Sequence, residues 1–227
     1  MGNFDIADFV TKLAIYMVVW LFAVSAHEAA HAWMSLKFGD DTAERLGRVT
    51  LNPLPHIDPL GTLVLPIIAF VASYSPSAAG IPLIMWGKPT PVNPLKWRNK
   101  DTANVMVSLA GIMVNILIAV VVLIALKILF TTQVLTLESI NDGIAKPVFT
   151  LLWGMLFLNV GLAIFNLLPV PPLDGGRALE SFLPSGMEGF YQMLETYGFF
   201  ILLILIYMGV LNYIIGPLNA LILYLLF

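Results

Sequence analysis

Residues 11–38, TKLAIYMVVWLFAVSAHEAAHAWMSLKF, decide the fold. The run is long and apolar enough for a membrane helix, which needs about 20 residues. Its second half nevertheless carries two imidazoles and a carboxylate, in His27-Glu28-Ala29-Ala30-His31. On a helix, His27 and His31 stand one turn apart on the same face. Both rings can then reach one ion at about 2.0–2.1 Å. Glu28 lies about 100° round the helix from His27 and three residues before His31, so it borders that face without being a ligand. This is the H-E-x-x-H arrangement, whose glutamate acts as general base beside a zinc ion. Ionisable groups at membrane depth are costly and mark function. The plainer alternative is a pair of neutral histidines hydrogen-bonded to neighbouring helices.

Composition agrees with a membrane setting. The chain of 227 residues is 59% hydrophobic and 11% charged, with a mean hydropathy of +0.90, whereas a soluble domain carries about a quarter charged residues. The apolar runs are continuous rather than alternating, so helices rather than a barrel satisfy the backbone in lipid. The expectation is an all-α, multi-pass integral membrane protein surrounded by the lipid bilayer. A net charge of −3 without a dense basic cluster gives no nucleic-acid footprint. With no cysteine, thiolate metal sites and disulfides are excluded. Residues 1–10 hold Asp5 and Asp8 and lack a basic start, so no cleavable signal peptide is read there.

Five to six apolar segments are expected to form one bundle: 11–38, 60–86, 104–130, 148–168, and 189–227 as a helical hairpin broken near Asn212 and Gly216-Pro217. The whole chain, 1–227, reads as a single membrane-embedded domain with its core at 11–177. Seven of the eleven Lys and Arg fall between Lys37 and Lys100 and flank the 60–86 region on both sides. The positive-inside rule places both flanks in the cytoplasm. Pro66, Pro76 and Pro82 interrupt that region, and its first arm is too short for an ordinary span. It is expected to be re-entrant, a single tilted span being the alternative. The N-terminus and the loop 131–147 then lie outside, and the 148–168 span ends in the cytoplasmic half near the histidine pair. Residues 48–51, between Gly47 and Asn52-Pro53, have the character of a short β element near the site, or of an ordinary loop.

Two histidines need a third protein ligand. His56 stands in a loop beside charged residues and reads as an interfacial histidine. Asp174, in NLLPVPPLDGGR (166–177), follows two prolines and precedes two glycines. Prolines break the helix and glycines permit close backbone approach, a way to present a carboxylate to another helix. A helix cap or a pairing with Arg177 is the alternative.

With these motifs in order, the chain resembles the site-2 protease family of intramembrane zinc metallopeptidases. The match rests on His27-Glu28-x-x-His31, on Asn166-x-x-Pro169-x-Pro171-x-Leu173-Asp174-Gly175, and on Gly111-x-x-x-Asn115. The resemblance implies one Zn2+ per chain held by His27, His31 and Asp174, with Glu28 as catalytic base and Asn166 near the reacting carbonyl. It further implies a compact form without PDZ or nucleotide-sensing domain. The expected activity is hydrolysis of transmembrane protein substrates near the cytoplasmic side of a prokaryotic cell membrane, as in regulated intramembrane proteolysis. Asn115 is expected to be an inter-helix hydrogen bonder rather than an oxyanion donor. A metal transporter would need polar residues along a path, whereas here they converge on one cluster.

Overall fold

A computed structural model describes residues 5–74 and 85–227. Helix α1 (Ile6–Lys37) starts at Asp5, whose carboxylate accepts from the amides of Ala7 and Asp8 at 2.9 and 3.2 Å. Its 32 residues span about 48 Å at 1.5 Å per residue, well beyond a hydrocarbon core of about 30 Å. Charged groups collect at its ends. Asp8 meets Lys12 at 2.6 Å and Lys146 at 2.9 Å, and Lys37 lies in the last turn.

After α1 come a single turn, α2 (Thr42–Arg45), then a π-helical stretch (Pro59–Val64) running into α3 (Leu65–Ser73). Further on lie α4 (Lys100–Thr131) and α5 (Ala145–Leu167), then the short α6 (Asp174–Glu180), α7 (Glu188–Tyr207) and α8 (Val210–Leu226). Helices α1, α4, α5 and α7 are long and apolar enough to cross a membrane. The all-α, multi-pass expectation therefore holds.

Helices α1, α4 and α5 pack on one another and form the core. The contact faces of α1 and α4 are built of small residues: Ala23, Ser25, Ala26 and Ala29 on α1, and Ser108, Ala110 and Gly111 on α4 are buried. Without a hydrophobic drive between helices in lipid, close approach of small residues supplies the packing. Toward the far end of α4 the packing turns apolar, around Val122, Leu126, Leu156, Ile222 and Leu226. Met113, Leu117, Val121, Ile124 and Ile128 remain exposed on α4, spaced three or four apart as a lipid-facing stripe requires.

The described ends of the 60–86 region lie side by side. Trp20 donates its indole N–H to the Thr62 carbonyl at 3.1 Å, and Phe70 stacks near Tyr16 and Phe9, close to the start of α1. The chain thus runs antiparallel to α1. It comes back beside its own beginning, where the Trp86 amide donates to the Gly61 carbonyl at 3.3 Å and the Lys88 amide to the His56 carbonyl at 2.9 Å. Pro66 sits near the start of α3; Pro76 and Pro82 lie outside the described residues.

Two expectations are corrected. Residues 48–51 are bends and coil, and there is no strand among the described residues. No neighbouring extended segment offers them a ladder; instead the Arg48 guanidinium donates to the Lys88 carbonyl at 3.3 Å, and the Thr50 carbonyl accepts from His56 at 2.9 Å. The 189–227 region breaks at Gly209, three residues before Asn212, and not at Gly216-Pro217. Gly209 has φ +70°, while Pro217 is carried inside α8. A left-handed residue ends a helix at little cost when it is glycine. A proline within an apolar helix costs one backbone bond that neighbouring groups can compensate. From that break, α8 runs to the far end of α4, where the Leu226 carbonyl accepts from Lys127 at 3.1 Å.

Candidate metal centre

Helix periodicity places His27 and His31 on the α1 face that meets α4, and both are buried. Asp174 is the first residue of α6, directly after the turn 168–173. A Cβ on Gly175 would strike the Leu167 carbonyl, so glycine is what lets α6 fold back against the end of α5. Asn104 of α4 ties α6 down by donating to the Arg177 carbonyl at 3.1 Å and to the Ser181 hydroxyl at 2.8 Å.

The three predicted ligands come together. Asp174 Oδ2 lies 3.0 Å from His27 Nε2 and 3.2 Å from His31 Nε2, and the two Nε2 atoms are 3.0 Å apart. Asp174 does not pair with Arg177 or act as a cap among the described residues.

The other ring nitrogens fix the tautomers. His27 Nδ1 is 2.6 Å from Asn115 Oδ1, and His31 Nδ1 is 2.7 Å from the Val107 carbonyl. Both neighbours are acceptors, so each Nδ1 carries the proton and each Nε2 presents a lone pair. Asp174 Oδ2 is buried and finds no hydrogen-bond donor. Three lone pairs thus face one another at about 3 Å in a water-poor place, which is repulsive unless a cation stands between them. Donors on a tetrahedral zinc are separated by about 3.3 Å, close to the observed triangle. The residues present fit a zinc ion.

Gly111 makes room for this triangle. A Cβ there would lie 2.5 Å from His27 Cε1 and 2.6 Å from both Nε2 atoms. The Gly111-x-x-x-Asn115 element of α4 therefore provides the clearance and, one turn on, the group that orients His27. Asn115 in turn donates to Asn159 Oδ1 at 2.7 Å, and Asn159 donates to the Met155 carbonyl at 2.7 Å. Asn159 escaped the sequence reading, because nothing local separates it from Asn166, the other amide of the same helix.

Glu28 borders the triangle from its neighbouring position on α1. The amide of Thr90 donates to its Oε2 at 2.8 Å, and the Thr90 hydroxyl is also 2.8 Å from that oxygen. A cavity of about 400 Å³ opens beside His27, His31 and Asp174, and Glu28, Thr90 and Asn166 line it as well. The Asn166 amide donates to the Leu162 carbonyl of its own helix at 2.9 Å. His56 is buried apart from this cavity, its Nε2 donating to Thr50. No other cluster of three or more metal-binding side chains occurs among the described residues.

Comparison with known proteins agrees with this geometry. The family model "Peptidase family M50" matches residues 15–208. The chain is similar to "Putative zinc metalloprotease YwhC" of Bacillus subtilis, at 36% identity over 211 residues that cover 92% of this chain and 88% of that one. It is also similar to "Putative zinc metalloprotease Rip2" of Mycolicibacterium smegmatis, at 29% identity over 90% of this chain and 71% of that one. A shorter likeness, 41% identity over 73 residues, links it to "Putative zinc metalloprotease CPE1693" of Clostridium perfringens, with 30% of this chain and 22% of that one covered. No solved structure matches the chain.

Proposed function

The chain belongs to peptidase family M50, the site-2 protease family of membrane zinc metallopeptidases, and from that premise we propose that it hydrolyses peptide bonds of transmembrane protein substrates near the cytoplasmic side of a prokaryotic membrane. The observation that carries this reading is the triangle of His27 Nε2, His31 Nε2 and Asp174 Oδ2 beside the Glu28 carboxylate.

In this reading His27, His31 and Asp174 hold the zinc. When bound, the ion supplies Lewis acidity, polarising a carbonyl and making water easier to deprotonate. Glu28 takes the proton from the attacking water and passes it to the departing amide nitrogen. Asn115 and the Val107 carbonyl keep the imidazoles aimed and in one tautomer. Asn166 stands on the cavity wall and stabilises the developing oxyanion by exchanging its Leu162 acceptor for the substrate. A helical substrate must unwind locally, because its amides are otherwise shielded by internal hydrogen bonds. Helix-breaking residues at the cleavage position lower that cost. Cleavage on the cytoplasmic side releases a soluble fragment, which is regulated intramembrane proteolysis.

The test is cleavage of a helical membrane substrate reconstituted with the purified chain, alongside zinc analysis. Glu28→Gln is expected to keep about one zinc per chain and to lose cleavage by about 10²–10⁴-fold, the usual share of a general base. Asp174→Ala is expected to lose the metal itself. Comparable cleavage by Glu28→Gln would remove Glu28 from the proton-transfer role.

A further inference from the structure

Thr90 is 62 residues away from Glu28 in the chain, yet it makes three close contacts with it. Its amide donates to Glu28 Oε2 at 2.8 Å. Its hydroxyl proton is shared between the same oxygen, at 2.8 Å, and the Glu28 carbonyl, at 2.9 Å. Pro89 and Pro91 flank it. Neither has an N–H, so Thr90 carries the one amide between Lys88 and Val92 that can donate. Pro91 also confines Thr90 to extended backbone.

The segment holding Thr90 is fixed on both sides. Before it, Trp86 is bonded to Gly61 and Thr62, and Lys88 to the His56 carbonyl. After it, the Asn93 amide donates to Asp40 at 2.7 Å and the Trp97 indole to Ser35 at 2.8 Å. Two donors anchored outside α1 therefore converge on one carboxylate oxygen. Glu28 Oε1 accepts no hydrogen bond among the described residues, and Glu28 lines the cavity.

We propose that Thr90 is a positioning residue for Glu28: it holds Oε2 from a rigid Pro-Thr-Pro segment and leaves Oε1 free to exchange the proton. The proposal rests on the reading of Glu28 as general base, and the experiment separates the two. Thr90→Val removes the hydroxyl at nearly constant volume, and Thr90→Ser restores it. With zinc content matched, kcat of Thr90→Val is expected to fall about 10-fold or more at a nearly unchanged KM, and Thr90→Ser to recover most of the loss. Infrared difference spectra of the metal-free chain give a readout apart from turnover. The carboxylate bands of Glu28, identified by their loss in Glu28→Gln, are expected to shift in Thr90→Val and to return in Thr90→Ser. Should Thr90→Val not fold, Thr90→Ala carries the same two measurements. A kcat within twofold of wild type and unshifted bands would overturn the positioning role, as would a Thr90→Ser variant no better than Thr90→Val. If Glu28→Gln itself remains active, it is the general-base reading that fails.

Discussion

At the scale of single residues, the centre depends on groups that never touch the metal. Asn115 is fully buried and accepts from His27. Losing such an outer partner costs about 10–100-fold in metal affinity. Asn115→Leu is therefore expected to weaken zinc by about that factor, read by competition with a chromogenic chelator, while Asn115→Gln is expected to do less harm if its longer amide still reaches. Gly111→Ala tests space instead of hydrogen bonding. Its methyl would press on both imidazoles, and zinc content is expected to fall even though no polar group is removed. The cluster of His27, His31 and Asp174 was legible in the sequence, because His27 and His31 announce themselves by spacing and Asp174 by its Pro-Pro and Gly-Gly flanks. Thr90 and Asn159 were not, since their meaning lies in contacts across 62 and 44 positions of chain, and nothing local distinguishes them from a loop threonine and a span amide.

Among elements, one carboxylate is among the groups that hold the segment after the 60–86 region against the end of α1. Asp40 is buried and accepts from Ser35, Thr42 and the Asn93 amide. Burial alone would push its carboxyl up, but the hydrogen bonds from Thr42, Asn93 and Ser35 outweigh burial and hold it below the ordinary carboxylate value. A group whose pKa is lower in the folded state adds stability above its unfolded value, and that contribution disappears as pH falls through the folded value. The wild type is thus expected to lose part of its thermal stability in acid, below about pH 4. Asp40→Ala should lack that part at every pH. At neutral pH the variant leaves the part-buried Asn93 amide without its Asp40 acceptor, which costs about 1 kcal/mol, measurable as a lowered Tm in detergent. Helix positions were readable from hydropathy, and the return of the 60–86 region from the charges that flank it. The break at Gly209 was readable only to within a few residues, through Asn212, because the Gly216-Pro217 pair later in the same run gave a stronger local signal than a lone glycine. The absent strand at 48–51 shows the same limit: its local propensity found no partner to pair with.

For the molecule as a whole, sidedness has a direct test, since the chain has no cysteine of its own. Leu95 and Leu137 are 80% and 64% exposed and lie in loops at opposite ends of α4. With the cavity toward the cytoplasm, Leu137→Cys is expected to react with an impermeant maleimide on intact cells, and Leu95→Cys only in inverted vesicles. The reverse pattern would invert the orientation. The chain of amides from His27 through Asn115 and Asn159 to the Met155 carbonyl bears on the same scale, for it stitches α1, α4 and α5 together at one depth. Sliding any of these three rods by a single turn, about 5.4 Å, would strand several dipoles in hydrocarbon with no solvent to receive them. The stitch thus indexes vertical alignment much as one polar side chain sets the register of a coiled-coil seam. Mutual slippage of the spans and disassembly of the ligand triangle become one event, not two.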